Sequence, residues 1–278
     1  MSNFEIREQM KRTKLFFGGK YVAAFNDCMW HPYIYPFCTP QGVCVIHEAS
    51  VDHPFHNGIF FAHRCVAVRE WDVIDFWVPT YSPSAVASSG RVICRERTWE
   101  ESGENTIEFR EHSEWQDALA VPIIEQTTGY DFRCGETVNS VRIRTTFTAQ
   151  MPLVFKQTKE AFLATRIADT FCVDNGGRMV DADGGENEAG TFDTTSAWVD
   201  AQGFVGELTA GLAVHQPAGR DPIPWFTRDY GLIGINQFRS GPELALETGE
   251  TYTLDVTMAA HDGDHTNDEL QEIIAAIA

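Results

Sequence analysis

The segment Ser140–Gln150, with the sequence SVRIRTTFTAQ, shows the alternation that decides the fold class. Side chains of a β-strand point alternately to opposite faces of a sheet, and here the two alternating sets differ in character. The pattern therefore predicts a strand with one face in the core and the other in solvent. The predicted core face carries Val141, Ile143, Thr145 and Phe147, and the solvent face carries Arg142, Arg144, Thr146 and Thr148.

Similar strand patterns recur along the chain on both sides of this segment. They include RVICRERTWE and NTIEFREHSEW upstream, and SAWVDA, GELTAGLAVH, YGLIGINQF and TYTLDVTMAA downstream. Strands at such short spacing, with turn signals between them and almost no helix, predict an all-β fold. We expect one large antiparallel β-sandwich domain covering residues 1–278.

One helix is predicted, close to the C-terminus. Thr266 and Glu269 form a capping box, and Leu270, Ile273, Ile274 and Ile277 follow at helical spacing. This helix, over residues 266–277, should pack its apolar side onto a sheet.

Three other segments give local predictions. Residues 3–25 read as a hairpin that turns at Gly18-Gly19. Three prolines in HPYIYPFCTPQGVCV, residues 31–45, argue against a helix and against a central strand there. The glycine-rich and acidic residues 174–190 are predicted to be mostly loop.

Composition excludes some classes of partner. The 278 residues carry a net charge of -19, which disfavours binding to nucleic acid or to an anionic membrane. No segment has the pattern of a signal peptide or a membrane span. The seven cysteines have no Cys-x-x-Cys spacing, so we expect reduced thiols in a cytoplasmic protein. A homo-oligomer is possible.

The densest group of chemically active residues lies in HEASVDHPFHNGIFFAH, residues 47–63. It holds four of the nine histidines, together with Glu48 and Asp52. Pro54 stiffens the backbone, and Asn57-Gly58 signals a turn, so His53 and His56 should lie close together. His63 falls on the strand that follows. This density of titratable groups predicts a functional pocket built around His53, His56 and His63.

Several blocks of sequence, in order along almost the whole chain, resemble the bacterial family labelled methane-oxygenase PmoA-like. They are HPYIYPFCTPQG, DHPFHNGIFFAH, QTKEAFLATR, SAWVDAQG, AGLAVHQP, WFTRDYGLIGINQF and HDGD. His31, Asn57 and Gln237 depart from the residues usual in that family. The resemblance implies a β-supersandwich like that of galactose mutarotase, and a sugar as the small-molecule partner. Methane oxidation is disfavoured, because a membrane enzyme needs spanning segments.

The resemblance also implies which residues act. Mutarotase-like enzymes pair a histidine with a carboxylate, so the expected catalytic residues are His53, His56, His63, Glu160, Asp229 and His261. The expected sugar-binding residues are His31, Tyr33, Lys159, Arg166, Trp198, Arg228, Tyr230 and Asn236. Arg166 and Arg228 could hold a carboxylate or an oxyanion. Lys159 and Glu160 would point to opposite faces if both lay on a strand.

Three functions stay open at this point. The first is an enzyme that acts on a sugar, an oxidised (keto) sugar or a glycoside by histidine and carboxylate acid–base chemistry, as an epimerase, hydrolase or lyase. The second is a metal-dependent oxygenase or hydrolase, with His53, His56 and His63 joined by Glu48 or Asp52 around a divalent metal. The third is a non-catalytic carbohydrate-binding protein. No cofactor is expected for the first and third.

Overall fold

The computed structural model describes residues 3–69, 72–79, 88–219 and 221–277. Within these ranges the chain forms short and long strands in three sheets. In chain order they are β1 (Phe4–Gln9), β2 (Arg12–Phe17), β3 (Lys20–Asp27), β4 (Pro32–Phe37), β5 (Ile59–His63), β6 (Val66–Val68), β7 (Asp72–Asp75), β8 (Ser88–Ser89), β9 (Arg91–Glu101), β10 (Thr106–Gln116), β11 (Pro122–Cys134), β12 (Val138–Ala149), β13 (Leu153–Phe155), β14 (Ala161–Arg166), β15 (Arg178–Asp181), β16 (Trp198–Val205), β17 (Leu208–His215), β18 (Trp225–Arg228), β19 (Leu232–Ile235), β20 (Leu244–Leu246) and β21 (Thr251–Asp262).

The first and second sheets form the two layers of a sandwich. The first has the order β1-β2-β3-β4-β5-β14-β19-β18, and the second has the order β15-β16-β17-β21-β12-β11-β10-β9. Their inner faces meet through aromatic rings: Phe25 of β3 lies 4.8 Å from Phe109 of β10, and Phe61 of β5 lies 5.7 Å from Phe147 of β12. This antiparallel sandwich confirms the predicted all-β fold.

A third, smaller sheet with the order β20-β13-β6-β7-β8 shares the same core through residues such as Val66, Leu153 and Phe155. Its strand β6 directly follows β5 and its strand β13 directly precedes β14, so it is connected to the first sheet at both places. The single domain predicted for residues 1–278 stays a prediction, which this shared core supports.

Strand β12 follows the predicted alternation. Val141, Ile143, Thr145 and Phe147 are buried, while the residues between them are partly or fully exposed. β12 pairs with β11 on one side and with β21 on the other, so it lies at the centre of the second sheet. Its exposed arginines bind acidic neighbours across the strands, Arg142 with Asp255 and Arg144 with Asp131.

The C-terminal helix is also confirmed, as α2 (Asn267–Ile277). The Thr266 N–H donates to Glu269 Oε2 at 2.8 Å, and the Glu269 N–H donates back to Thr266 Oγ1 at 3.4 Å, which is the predicted capping box. Leu270 and Ile274 pack against Trp198 on the outer face of the second sheet.

Three local predictions need correction, although the predicted turn at Gly18-Gly19 is confirmed between β2 and β3. Residues 3–25 form a three-stranded meander, since β1 and β2 already make one hairpin before the turn at Gly18-Gly19 joins β2 to β3. Residues 32–37 form the internal strand β4, with Pro32 at its first position and Pro36 in a bulge opposite β3, so neither proline removes a needed donor. Residues 174–190 contain β15 and the start of a short helix, α1 (Asn187–Thr191).

The seven cysteines are free thiols in the structure. We expect thiol titration of freshly purified protein, denatured without reductant, to find all seven, because no pair is bridged. Mass spectrometry of alkylated protein provides the same count independently. A reproducible count of five or fewer would contradict this prediction.

No helix in the described ranges is long and apolar enough to cross a membrane.

Candidate functional site

A cavity of about 260 Å³ lies on the outer face of the first sheet, the face turned away from the main core. A row of directly paired residues crosses four strands of this sheet, Phe60, Ala164, Gly234 and Phe226, and of this row Phe226 lines the cavity. We call this space the histidine cavity. It is lined by His53, Phe55, His56, Arg64, Trp77, Val78, Lys159, Glu160, Phe226, Arg228, Tyr230 and Leu232.

The loop between β4 and β5 supplies the histidine wall. The His56 N–H donates to the His53 carbonyl at 2.9 Å, and Ser50 Oγ donates to the same oxygen at 3.2 Å. The loop returns to the sheet at Gly58, whose φ is 53°. A Cβ at this position would lie 2.0 Å from the Ile34 carbonyl oxygen, so only glycine fits there. The turn predicted from Asn57-Gly58 thus places His53 and His56 against the sheet.

Five aromatic rings form a continuous stack from the cavity to the interior. Successive centroids lie 5.0 Å apart for Tyr230 and His53, 4.6 Å for His53 and His56, 5.9 Å for His56 and Phe60, and 4.9 Å for Phe60 and His31. The His53 and His56 rings are parallel to within 3°. The Arg166 guanidinium continues the stack, 4.9 Å from the centroid of Tyr230. Such stacking fixes the plane of each imidazole.

His53 is oriented by a carboxylate that is itself held by an arginine. His53 Nδ1 lies 2.8 Å from Asp52 Oδ2, and Arg166 binds both Asp52 oxygens at 3.0 Å. Burial opposes ionisation of Asp52, but the hydrogen bonds from His53, Ser50 and Arg166 outweigh it and hold the pKa of Asp52 well below its usual value. An ionised carboxylate only accepts, so His53 Nδ1 carries a proton, and in the neutral imidazole the lone pair is therefore on Nε2.

The two deeper histidines are held in the neutral form. Burial lowers the pKa of His31 to about 4. Burial, together with the neighbouring His53, lowers the pKa of His56 to about 2. Both residues are almost completely buried, at 0% and 2% exposure. Within the stack, His31 and His56 therefore act as uncharged aromatic spacers behind His53.

The opposite wall of the cavity combines one carboxylate with cationic groups. Glu160 Oε1 lies 3.1 Å from Arg64 Nη1 and 3.4 Å from Lys159 Nζ. Behind them, Asp75 is fully buried and accepts the Trp77 and Val78 N–H groups at 2.8 and 2.9 Å. Burial raises the pKa of Asp75 above its ordinary value despite those two bonds and nearby Arg64. Asp75 thereby fixes the loop that presents Trp77 to the cavity.

Arg228 forms the edge of the cavity. Its Nη1 lies 2.7 Å from Glu188 Oε1, and its guanidinium lies over the rings of Phe192 and Phe226 at 4.2 and 4.8 Å. β18 and β19 place Arg228 and Leu232 directly opposite each other, and Leu232 is also opposite Arg166. The side chains of Arg166, Leu232 and Arg228 therefore lie on the same face of the first sheet.

The prediction that His53, His56 and His63 converge is wrong for His63. On β5, Phe60 faces the histidine cavity while Phe61 faces the main core, and His63 shares the face of Phe61. The His63 ring lies among Phe155, Phe162 and Phe238, and its Nε2 is 3.1 Å from the Lys156 carbonyl oxygen. It is a buried core residue, because alternation along the strand turns it away from the cavity.

Two other predicted catalytic residues also lie elsewhere. Asp229 Oδ1 accepts the Glu188 N–H at 2.8 Å, so this carboxylate holds the first turn of α1. His261 lies in the second sheet, fully buried, with Nε2 2.9 Å from Asp200 Oδ1. A Cβ at Gly211 would lie 2.4 Å from His261 Nε2, so glycine makes room for this ring.

Four predicted sugar-binding residues have structural contacts instead of lining the cavity. His31 is buried in the ring stack, and the Tyr33 hydroxyl hydrogen-bonds to Glu48. Trp198 Nε1 donates to Gln271 of α2 at 2.9 Å. Asn236 Nδ2 donates to the Thr158 carbonyl at 2.7 Å.

Six of the predicted residues do line the cavity, and Arg166 supports it through Asp52. The six are His53, His56, Lys159, Glu160, Arg228 and Tyr230. Lys159 and Glu160 both line it, contrary to the opposite faces predicted for a strand, because β14 begins only at Ala161.

Arg64, Trp77 and Phe226 were missed as lining residues, and Asp52 was considered only as a metal ligand. A signal for Arg64 existed in the alternation of β5, because Arg64 directly follows the last residue of that strand, His63. Trp77 is the last residue of DFW, residues 75–77, and its contact with the cavity depends on the buried Asp75 carboxylate that holds this loop, a burial that the sequence does not indicate.

The residues of the metal hypothesis do not form a metal site. Within the described ranges, no three His, Cys, Asp or Glu side chains are grouped so that they could hold a metal ion. His63 is on the core side of β5, Glu48 binds Tyr33, and Asp52 binds Arg166.

Another cavity, of about 300 Å³, is lined by residues that include Gln216, Ile223, Gln237 and Tyr252. Gln216 is already bonded to the backbone of Ile223 through both its oxygen and its nitrogen. Its carboxylates are Asp221 and Asp255, but the described residues that line it include no histidine, arginine or lysine, so it lacks the imidazole–carboxylate pair of the histidine cavity.

These features define the class: an antiparallel β-sandwich that carries a polar cavity on the outer face of one sheet. The chain belongs to a family of unknown function, DUF6807, whose sequence model matches residues 12–275. The methane-oxygenase label suggested by the sequence blocks is not the description that this family carries.

Comparison with solved structures shows the fold. An α-galactosidase from Geobacillus stearothermophilus, in complex with 1-deoxygalactonojirimycin, matches with a TM-score of 0.50 and 8% identity over 93% of this chain. This chain spans 40% of the length of that enzyme. A galactose mutarotase-like protein from Lactobacillus casei matches with a TM-score of 0.42 and 8% identity, over 93% of this chain and 100% of that protein.

An α-galactosidase from Lactobacillus brevis matches with a TM-score of 0.45 and 9% identity, over 94% of this chain and 40% of that enzyme. A sequence comparison with curated proteins found no match.

Proposed function

We propose that this protein is an enzyme that processes a sugar by proton transfer in the histidine cavity, with His53 as the base. The observation that carries this proposal is the chain of contacts from Arg166 to Asp52 to His53 Nδ1. It fixes the tautomer that leaves Nε2 able to accept a proton, and it stabilises the imidazolium that results.

Glu160 is the second proton-transfer group in this proposal. It lines the same cavity on the wall opposite His53, and Arg64 and Lys159 position its carboxylate. Sugar hydroxyls suit such a wall, because a carboxylate accepts hydrogen bonds while Lys159 donates them. Trp77, Tyr230 and Phe226 supply the apolar surfaces that sugar rings pack against.

The lining favours proton transfer, as in epimerisation or elimination, over glycoside hydrolysis. Most glycoside hydrolases use two carboxylates on either side of the scissile bond. Among the described residues that line the histidine cavity, Glu160 is the only carboxylate, and the nearby Asp52 and Asp75 are engaged in orienting other groups. An imidazole paired with one carboxylate can instead remove and return a proton.

Deuterium exchange tests this proposal without knowledge of the product. A panel of sugars and sugar acids is incubated with the protein in D₂O, and ¹H NMR follows the loss of individual carbon-bound protons. We expect catalysed exchange, a product or both with at least one sugar, and at least about a hundredfold slower exchange with His53→Gln.

His112→Gln on β10 is the matched control, because His112 lies in the second sheet and outside the cavity. Equal exchange rates for the wild type and His53→Gln would contradict the proposed role of His53. Sugar binding with neither exchange nor product across the panel would instead favour a non-catalytic binding protein.

A further inference from the structure

A second cavity of about 370 Å³ adjoins the histidine cavity and shares Lys159 and Arg228 with it. We call it the cationic cavity. Its lining consists of Gln157, Thr158, Lys159, Phe192, Arg228 and Arg239. Half of these residues are cationic, and none of the described residues that line this cavity is acidic, in a chain whose net charge is -19. Each of these cations has one carboxylate within 4 Å, but the cavity surface itself presents the cationic groups, and such a surface attracts an anion.

Phe192 holds the two arginines close together. The guanidinium of Arg228 lies 4.2 Å from the Phe192 centroid, and that of Arg239 lies 3.9 Å from it. Since both guanidiniums contact the same ring, they are at most about 8 Å apart, close enough for one anionic group to accept hydrogen bonds from both. The aromatic contact therefore positions a pair of planar donors at one site.

The acidic partners of these arginines leave donors unused. Arg228 binds Glu188 and the Thr227 carbonyl through a single nitrogen, Nη1. Arg239 approaches Asp193 through Nε, at 3.5 Å. Neither Glu188 nor Asp193 lines the cavity. A guanidinium has five N–H donors, so each arginine retains donors that can form paired hydrogen bonds with an anionic group.

We propose that the cationic cavity binds an anionic substituent of the substrate, a carboxylate, sulfate or phosphate, while the reacting part of the sugar lies beside His53. This inference rests on the proposed function and names its substrate class as an anionic sugar. Lys159 belongs to both cavities, so it links the anionic substituent to the reaction site.

Matched sugar pairs test this inference. Dissociation constants are measured by NMR titration for glucose with glucuronate and for galactose with galacturonate. Glucose 6-sulfate and glucose 6-phosphate identify which anion is preferred. We expect the anionic member of at least one set to bind about tenfold or more tightly than its neutral counterpart, with a preference that weakens as salt rises.

Arg239→Gln should reduce the preference for the anionic over the neutral sugar to threefold or less, because Arg239 lines only the cationic cavity. Lys159→Gln is a second variant in case Arg239→Gln does not fold. Arg144→Gln is the matched control: Arg144 is an ion-paired arginine of the second sheet, and its loss should leave the preference unchanged.

The inference is overturned if neutral and anionic sugars bind equally, or if Arg239→Gln keeps the full preference. Its failure is distinct from that of the proposed function, because His53→Gln should abolish deuterium exchange while keeping the anion preference. Exchange on neutral sugars without any preference would overturn only the inference. Preferential binding of acids without exchange or product would overturn only the catalytic role, and no binding by any sugar would overturn both.

Discussion

The free energy of unfolding should fall steeply as the pH decreases from 6.5 towards 4, because three buried histidines resist protonation in the folded protein. Burial is the main reason that the pKa is lowered to about 4 for His31, about 2 for His56 and about 3 for His63. In the unfolded chain a histidine has its ordinary pKa of about 6.5. Between these values the unfolded state binds more protons than the folded state.

The sign follows from this difference in proton binding. The stability associated with the three neutral imidazoles is fully present above pH 6.5 and is lost as the pH falls below it. Each of these histidines lowers the free energy of unfolding by about 1.4 kcal/mol for each unit that the pH falls below 6.5. The three together lower it by about 4 kcal/mol per unit, as long as all three remain neutral in the folded protein. For a typical domain, which is stable by about 5–15 kcal/mol, this is a large fraction of the total.

Urea unfolding at pH 7.5, 6.5, 5.5 and 4.5 measures the effect, with circular dichroism as the signal. His63→Gln should reduce the slope of the unfolding free energy against pH by about a third, because it removes one of the three proton-binding sites. The glutamine amide can still donate to the Lys156 carbonyl oxygen. His112→Gln is the control on β10. A free energy of unfolding that stays constant from pH 7.5 to 4.5 would show that these histidines are not buried in the neutral form.

Replacing Asp52 with Asn should lower turnover by about 10²- to 10⁴-fold on whichever sugar the protein processes. The asparagine side chain can donate to His53 Nδ1, which places the proton on Nε2 and removes the free lone pair from the cavity. It also no longer stabilises a protonated His53. Because Asp52 itself does not line the cavity, we expect kcat to fall with little change in KM.

Stability must be measured in parallel, since Arg166 is only 4% exposed in its side chain and would lose its carboxylate partner. Asp131→Asn is the matched control, because Asp131 is bound by Arg144 on the second sheet and has no link to His53. A folded Asp52→Asn protein with wild-type turnover would refute the role assigned to the Arg166, Asp52 and His53 contacts.

The sequence predicted the fold well where a local pattern was sufficient. The alternation of β12 and the capping box of α2 depend on neighbouring residues, and the structure confirms both. The strand β4 was missed because its prolines disfavour pairing in general, while the actual bulge at Pro36 depends on the register with β3. A register between two strands cannot be read from either strand alone.

The candidate site was predicted only in part, for a similar reason. His53 and His56 share one short loop, so their proximity followed from the sequence. The alternation of β5 can be recognised in the sequence, but the sequence does not indicate which face of that strand lies on the side of the cavity. The position of His63 therefore could not be predicted. His261 and Asp229 carry suitable chemistry, yet their partners Asp200 and Glu188 are distant in the sequence and bind them elsewhere.

The stacked rings of Tyr230, His53, His56, Phe60 and His31 have a consequence for conformational entropy. A ring clamped between two others loses its rotamer freedom when the chain folds, before any ligand arrives. Association with a sugar then orders few side chains on this wall, so little of the binding free energy is spent on immobilising them. We therefore expect the ring resonances of His53 and Tyr230 to shift on sugar binding without the line broadening that an ordering loop would produce.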